Sequence, residues 1–179
     1  MIYSVSNNSQ HQDRHQHQRQ RRYCIVAFFA LGVGVMSGSV GAEQAIAQSA
    51  PIFESTTVSP GFSPDPRTLR GISGGSVAAR EIAGRAETTT GPCVGFVDRA
   101  PDHNLTLNSF FDFLSVEVQS PEDTTLVVKG PGGAWCNDDI SGKNPGLAGQ
   151  WQPGNYQLWV GSYQKDQYFP YVLRVTQIR

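Results

Sequence analysis

One serine lies in a pattern typical of catalytic serines. The segment GISGG at 71–75 places Ser73 in both G-x-S-x-G and G-x-S-G-G, which surround serine nucleophiles in two enzyme classes. A nucleophile elbow needs a strand, a turn and a helix in an α/β sheet, and this alternation is absent from the sequence. A trypsin-like site needs a histidine and an aspartate upstream, whereas His103 lies downstream. A serine hydrolase using Ser73 and His103 is therefore the least favoured of three hypotheses, and we expect a flexible Gly-Ser turn.

Asp102 and His103 form a second candidate, because a carboxylate beside a histidine could act in general acid–base catalysis. Adjacent residues of a strand point to opposite faces, however. Asp102 and His103 would then not face each other, and a turn stabilised by Asp102 at the start of a strand is the favoured interpretation.

A Gly-rich segment from Trp135 to Gly146 gathers four side chains that carry oxygen ligands: Asn137, Asp138, Asp139 and Asn144. Calcium prefers six to eight oxygens from carboxylates, amides and backbone carbonyls. The spacing is not that of an EF-hand, which has a D-x-D-x-D-G register and a terminal Glu. A calcium loop and an Asx-turn loop that binds nothing remain equally open.

Aromatic residues concentrate towards the carboxyl end. All three tryptophans follow residue 134. Exposed aromatic side chains could bind sugar rings or a protein ligand, and the candidates are Trp159, Tyr163 and Tyr168. Trp135 and Trp151 are expected to fill a small core. Trp159 lies opposite the predicted core face of Tyr156 and Leu158, and its exposure and its burial are equally open.

These residues lie among segments that alternate between apolar and polar side chains. Five segments have this period, which is typical of half-buried strands: 105–108, 114–119, 126–129, 156–161 and 171–176. Turn sequences rich in Pro, Gly, Asn and Asp separate them. We predict an all-β fold, a small antiparallel β-sandwich of jelly-roll or Greek-key type, over 91–179.

The first 47 residues have a different composition. A basic segment, an apolar run from Ile25 to Met36 and Ala45-Ile46-Ala47 together indicate a secretory signal peptide. The apolar run is shorter than the ~20 residues that span a bilayer, although an uncleaved anchor remains an alternative. We predict a signal peptide at 1–47, no membrane span after its cleavage, and a periplasmic or extracellular location.

Charge and composition exclude several classes. The remaining chain has ten Lys and Arg against 13 Asp and Glu, a net charge of −3, which does not suit nucleic-acid binding. Residues 48–90 are rich in Pro and Gly, with three prolines between Ser59 and Pro66. We expect them to form an irregular lead-in with one short strand near 76–80. Whether this lead-in packs on the sandwich is left open.

Two cysteines remain after residue 47, Cys93 and Cys136. An even pair in an exported chain predicts a disulfide, and a loop of this length would stabilise the fold by about 4 kcal/mol. Two buried, reduced thiols are the alternative. Neither cysteine belongs to a C-x-x-C pair, so redox catalysis and zinc binding are not indicated.

Five short motifs follow one another along the second half of the chain: DTTLVV at 123–128, GPGG at 130–133, NDD at 137–139, QPGNY at 152–156 and YVLRV at 171–175. In this order they resemble the bacterial pre-peptidase C-terminal domain family. The resemblance covers about 91–178 and implies an exported, usually non-catalytic β-sandwich. Related collagen-binding modules use calcium, and the motifs add Asp123 to Asn137, Asp138 and Asp139 as ligands. The family pattern contains neither Cys93 nor Cys136, and residues 48–90 are too few for the peptidase domain that we would expect before such a module.

Together these observations predict a monomeric, exported, non-enzymatic module for binding or stability, with calcium as its candidate cofactor. The alternative is a surface module that binds a cell-envelope polysaccharide or an extracellular protein through Trp159, Tyr163 and Tyr168.

Overall fold

The computed structural model describes residues 49–178. These belong to a compact unit, Ala45–Arg179, and the predicted signal peptide at 1–47 lies outside the described residues. Between residues 49 and 178, no helix is both long and apolar enough to cross a lipid bilayer.

The described chain is all-β, as predicted. It contains thirteen strands and one short helix, which are, in order, β1 (Thr56–Val58), β2 (Arg67–Ile72), β3 (Val77–Ala78), α1 (Ala79–Ala83), β4 (Glu87–Thr88), β5 (Gly91–Pro92), β6 (Phe96–Val97), β7 (His103–Leu107), β8 (Phe111–Gln119), β9 (Thr124–Gly130), β10 (Gly133–Asn137), β11 (Gly146–Trp151), β12 (Gly154–Ser162) and β13 (Pro170–Thr176).

Two sheets form the sandwich. The four-stranded sheet has the order β11–β8–β13–β2. In the seven-stranded sheet, β12 pairs with β9 along one edge and with β7 along the other, and β6 follows β7 on that second edge. Pairing is antiparallel except between β1 and β7. From β7 onward the chain repeatedly crosses between the sheets, because β8, β11 and β13 lie in one and β7, β9, β10 and β12 in the other.

All five alternating segments are strands, namely β7, β8, β9, β12 and β13. The sequence analysis missed β10 and β11, which flank the Asn/Asp loop. Both begin with glycine, a residue depleted in strands. β11 also carries a bulge between Gly149 and Trp151, which interrupts the alternation that identifies a strand.

The expectation of an irregular lead-in at 48–90 needs correction. β1 pairs with β7, and β2 forms the edge of the four-stranded sheet by pairing with β13 over six residues. α1 packs beside the seven-stranded sheet. Pro60, Pro64 and Pro66 lie in the turn between β1 and β2, which leaves both strands free to pair.

Two apolar clusters hold these elements together. The larger one fills the space between the sheets, and its members include Leu105, Leu126 and Leu158 from one sheet and Val116 and Leu173 from the other. The smaller one lies on the outer face of the seven-stranded sheet. It consists of Ala79, Ala83, Cys93, Val97, Val127, Cys136 and Trp159.

Candidate functional site

A pocket of about 210 Å³ opens where edge strands of the two sheets meet. β10 pairs only with β9, and β11 only with β8, so each is an edge strand. Trp135 of β10, Trp151 of β11 and Tyr156 of β12 line the pocket together with Pro131 and Leu147. We call this the aromatic pocket.

Strand alternation aims these rings at one another. On β10, Ala134 and Cys136 belong to the outer cluster, and Trp135 therefore points to the opposite face, where it packs against the main core. On β11, the bulge at Gln150 precedes Trp151. Bulges commonly re-aim a side chain.

The three rings form a continuous aromatic surface with Tyr156 in the middle. The ring centroids of Trp151 and Tyr156 are 5.0 Å apart at an interplanar angle of 61°, and those of Trp135 and Tyr156 are 6.3 Å apart at 44°. Both separations lie within the range of favourable aromatic pairs. Gly130 makes room for this arrangement, because a side chain there would collide with the Tyr156 ring.

Hydrogen bonds fix the two deeper rings. The indole N–H of Trp151 donates to the Leu114 carbonyl at 3.0 Å, and the Tyr156 hydroxyl donates to the Gln152 carbonyl at 2.9 Å. Trp151 and Tyr156 are buried, whereas Trp135 is half-buried. The pocket therefore has a rigid floor and one partly exposed aromatic wall.

The rest of the lining carries no charged residue. Thr90, Ala148, Gly149, Gln150 and Gln152 complete it. Gln150 and Gln152 are exposed, and their amides can each donate and accept hydrogen bonds. No Lys, Arg, Asp, Glu or His lines the pocket, which favours a neutral ligand.

The predicted Cys93–Cys136 disulfide is present, with a Cα–Cα distance of 5.1 Å. It holds the turn between β4 and β5 against β10. The Thr90 hydroxyl donates to the Cys136 carbonyl at 2.8 Å, and the Cys136 N–H donates to the Thr88 hydroxyl at 3.0 Å. The disulfide thereby supports one wall of the aromatic pocket.

The predicted metal ligands come together only in part. Asp138 lies close enough to Asp139 and Asp123 for their charges to affect it: burial, and then these two carboxylates, raise its pKa to about 6. Asp138 Oδ1 is buried without a hydrogen-bond partner among the described residues. Carboxylates in this state fit a hard cation, yet no group of three or more acidic, His or Cys side chains within 49–178 is arranged to hold a metal ion.

Asn137 and Asn144 use their amide oxygens elsewhere. Asn137 Oδ1 accepts the Gly146 N–H at 2.9 Å, and Asn144 Oδ1 accepts the Ser120 N–H at 2.9 Å. Asn137 Nδ2 also donates to the Thr90 carbonyl at 3.1 Å. Both amides thus stabilise the loop and its connection to neighbouring strands.

Ser73 and His103 are both fully buried. Ser73 Oγ lies 2.8 Å from Ser162 Oγ and accepts the Phe169 N–H at 3.2 Å. The expected flexible Gly-Ser turn is therefore wrong, because this segment joins β2 to the seven-stranded sheet. His103 Nδ1 lies 2.6 Å from the Glu54 carbonyl and Nε2 lies 2.8 Å from the Tyr171 hydroxyl. Among the described residues, no hydrogen bond links Ser73 to His103.

Asp102 lies beside β12, in the stretch between the residues that pair with β7 and the residue that pairs with β6. Its Oδ2 accepts the Val160 N–H at 2.6 Å, while Oδ1 is buried without a partner in the described chain. Burial raises the pKa of Asp102 to about 8, and nearby Asp98 adds to the shift. Burial also lowers the pKa of His103. These neighbours thus occupy separate hydrogen-bond networks, as strand geometry predicted.

The three predicted ligand-surface aromatics differ in exposure. Trp159 is 4% exposed, so its use as an exposed binding residue is wrong. Tyr163 and Tyr168 are 51% and 54% exposed, and neither lines the aromatic pocket.

Trp151 is in the core as expected. Sequence reasoning missed that Trp135 and Trp151 also line a pocket. Gln150 and Gln152 beside Trp151 were the one sequence feature that could have indicated a binding pocket. They indicate it only once β10 and β11 are known to be edge strands.

No family model matches the chain. An uncharacterized protein of Synechococcus elongatus is 29% identical over 86 residues, which are 46% of this chain and 63% of that protein. The chain thus spans less than two thirds of that relative. The chain is also similar to the solved pre-peptidase C-terminal domain of a collagenase from Bacillus anthracis, with 14% identity and a TM-score of 0.41 over 72% of this chain and 100% of that domain. This is the family that the sequence motifs resemble.

Proposed function

We propose that this protein is an exported, non-catalytic binding module whose ligand occupies the aromatic pocket. The observation that carries the proposal is the open, uncharged pocket formed by Trp135, Trp151 and Tyr156 beside the edge strands β10 and β11. A concave apolar surface with a few convergent polar groups is the usual form of a binding site.

The absence of catalysis is supported by the burial of the candidate groups. A nucleophile must reach its substrate and its base, whereas Ser73 and His103 are fully buried and hydrogen-bonded to other partners. Export is supported by the disulfide, since such bonds persist in oxidising compartments.

Co-sedimentation with insoluble polymers tests this function. Cellulose, chitin, peptidoglycan and gelatin cover the polysaccharide and polypeptide classes. We expect retention by at least one polymer, weakened by Trp135→Ala and unchanged in the matched control Tyr168→Ala. Retention by none, or loss only in Tyr168→Ala, would contradict the use of the aromatic pocket. The second result would favour the alternative surface around Tyr163 and Tyr168.

We propose calcium stabilisation of the 137–144 loop as a second function. Asp138 would be the central ligand, because its Oδ1 is buried without a partner and the charges of Asp139 and Asp123 reach it. No three such side chains in the described part of the chain converge on one point, so backbone carbonyls or water would complete the ligand set. A bound cation would offset both the burial and the charge repulsion that raise the pKa of Asp138, and it would stabilise the folded state by mass action.

Thermal melting in calcium and in a chelator tests this second function. We expect calcium to raise the melting temperature and Asp138→Asn to abolish that increase. Asp112→Asn is the matched control, because Asp112 lies on β8 and not in the loop. Equal melting with calcium and chelator would rule out the site.

A further inference from the structure

We propose that the aromatic pocket binds one ring of a neutral polysaccharide, with the rest of the ligand running along the edge of the sandwich. This inference rests on the proposed function and adds the chemical class of the ligand.

The size of the pocket limits what can enter it. Sites for drug-sized ligands begin at roughly 300 Å³, and this pocket measures about 210 Å³. It therefore has room for a single small ring. A longer ligand would contact the exposed side chains of Gln150 and Gln152 at the rim of the pocket.

The polar groups of the pocket match hydroxyls better than peptide carbonyls. Aromatic-lined grooves also bind proline-rich peptides, whose carbonyls require hydrogen-bond donors. Here the donors of Trp151 and Tyr156 are already bonded to Leu114 and Gln152, so that the Trp135 indole N–H is the one donor that the three rings leave. The remaining side-chain amides of Gln150 and Gln152 both donate and accept, as sugar hydroxyls do.

The charge of the lining restricts the class further. A charged sugar or peptide would find no opposite charge among the pocket residues, and desolvating an unpaired charge is unfavourable. The apolar C–H face of a neutral pyranose can instead pack on the half-buried Trp135, with its hydroxyls at the glutamines.

Two-dimensional NMR of the ¹⁵N-labelled protein tests the inference, because the three tryptophans give three indole N–H signals. The probes are cellohexaose, maltohexaose, chitohexaose, a hexamer of galacturonate and decaproline. We expect at least one neutral hexasaccharide to shift the Trp135 and Trp151 signals. Trp159 is an internal control, since it is buried in the other cluster.

Variants give the expected size of the effect. Trp135→Ala should weaken binding of that hexasaccharide roughly tenfold or more, as for an aromatic anchor. Gln150→Ala and Gln152→Ala should each weaken it roughly fivefold, the loss of one net hydrogen bond. Tyr163→Ala and Tyr168→Ala should leave it unchanged.

The contrary outcomes separate the two claims. If decaproline or the galacturonate hexamer shifts Trp135 and Trp151 while no neutral hexasaccharide does, the ligand class is wrong and the pocket remains the binding site. If no probe shifts these signals and no insoluble polymer retains the protein, both the ligand class and the proposed function are wrong.

Discussion

Two neighbouring rows of side chains cross the same three strands of the seven-stranded sheet, one on each face. On the outer face, Trp159, Val127 and Cys136 lie side by side, and on the inner face Leu158, Val128 and Trp135 do. Each row contains one tryptophan. Trp159 is closed off, whereas Trp135 is half-buried and lines the aromatic pocket.

The difference comes from what covers each row. α1, Cys93 and Val97 close the outer row, and all of them come from residues before the alternating segments. The inner row ends at an edge strand, β10, whose neighbour across the sandwich is another edge strand, β11. Strand alternation thus determines on which face of the sheet a side chain lies. Whether that face is exposed depends on other segments of the chain, which alternation does not predict.

The largest expected effect contrasts the two tryptophans directly. Trp159→Ala should lower the free energy of unfolding by about 3 to 5 kcal/mol, because it leaves a cavity in a closed cluster. Trp135→Ala should lower it by only about 1 to 2 kcal/mol, since its side chain already contacts solvent. Urea unfolding measures both, and equal losses would show that the two regions are equally closed.

The second-largest effect on stability is expected from the disulfide. Cys136 belongs to the buried outer row, and the bond also supports the pocket wall beside the inner row. Replacing both cysteines (Cys93→Ala with Cys136→Ala) should destabilise the protein by up to about 4 kcal/mol. Ligand affinity should fall as well, because Thr90 and its hydrogen bond to Cys136 lose their support. Unfolding and binding measured on the same double variant would separate these effects. Unchanged stability would contradict a structural role for the bond.

A pH effect of about 1 to 2 kcal/mol should come from Asp102, which holds Val160 next to Trp159. Because burial raises the folded-state pKa to about 8, the folded state retains a proton that the unfolded state has lost. Stability should therefore fall as the pH rises from 6.5 to 8. Burial lowers the pKa of His103 from its ordinary value of 6.5, so His103 affects the pH dependence of stability mainly below this range.

Asp102→Asn isolates this effect, because the amide cannot ionise. Its unfolding free energy should stay level between pH 6.5 and 8, while that of the unsubstituted protein falls. Parallel curves for the two proteins would show that Asp102 does not titrate in this range.

The contrast between the rows also explains how far the sequence could predict this molecule. The five strands that build the two sheets were predicted because Leu105, Val116, Leu126, Leu158 and Leu173 alternate with polar residues and are buried. The disulfide was predicted from an even number of cysteines in a chain with a predicted signal peptide. The strands β1 and β2 were missed because Pro60, Pro64 and Pro66 dominate their surroundings.

The candidate sites were harder to predict, because they depend on contacts between distant segments. Trp159 is buried by α1, which follows a Gly-rich sequence with little helical signal. Asn137 and Asn144 have the residue types of calcium ligands, yet backbone N–H groups use their oxygens. The aromatic pocket requires the bulge before Trp151, and a bulge leaves no clear mark in a single sequence.

The smallest effect is expected from Tyr163 and Tyr168, the two tyrosines that the sequence suggested as binding residues. Tyr163 and Tyr168 are more than half exposed, and exposed substitutions usually change stability by less than about 0.5 kcal/mol. Tyr163→Ala and Tyr168→Ala should therefore match the unsubstituted protein in urea unfolding and in ligand titration. If either variant lost binding while Trp135→Ala kept it, the open region that matters would be the β12–β13 connection, and edge strands would no longer explain where this sandwich binds.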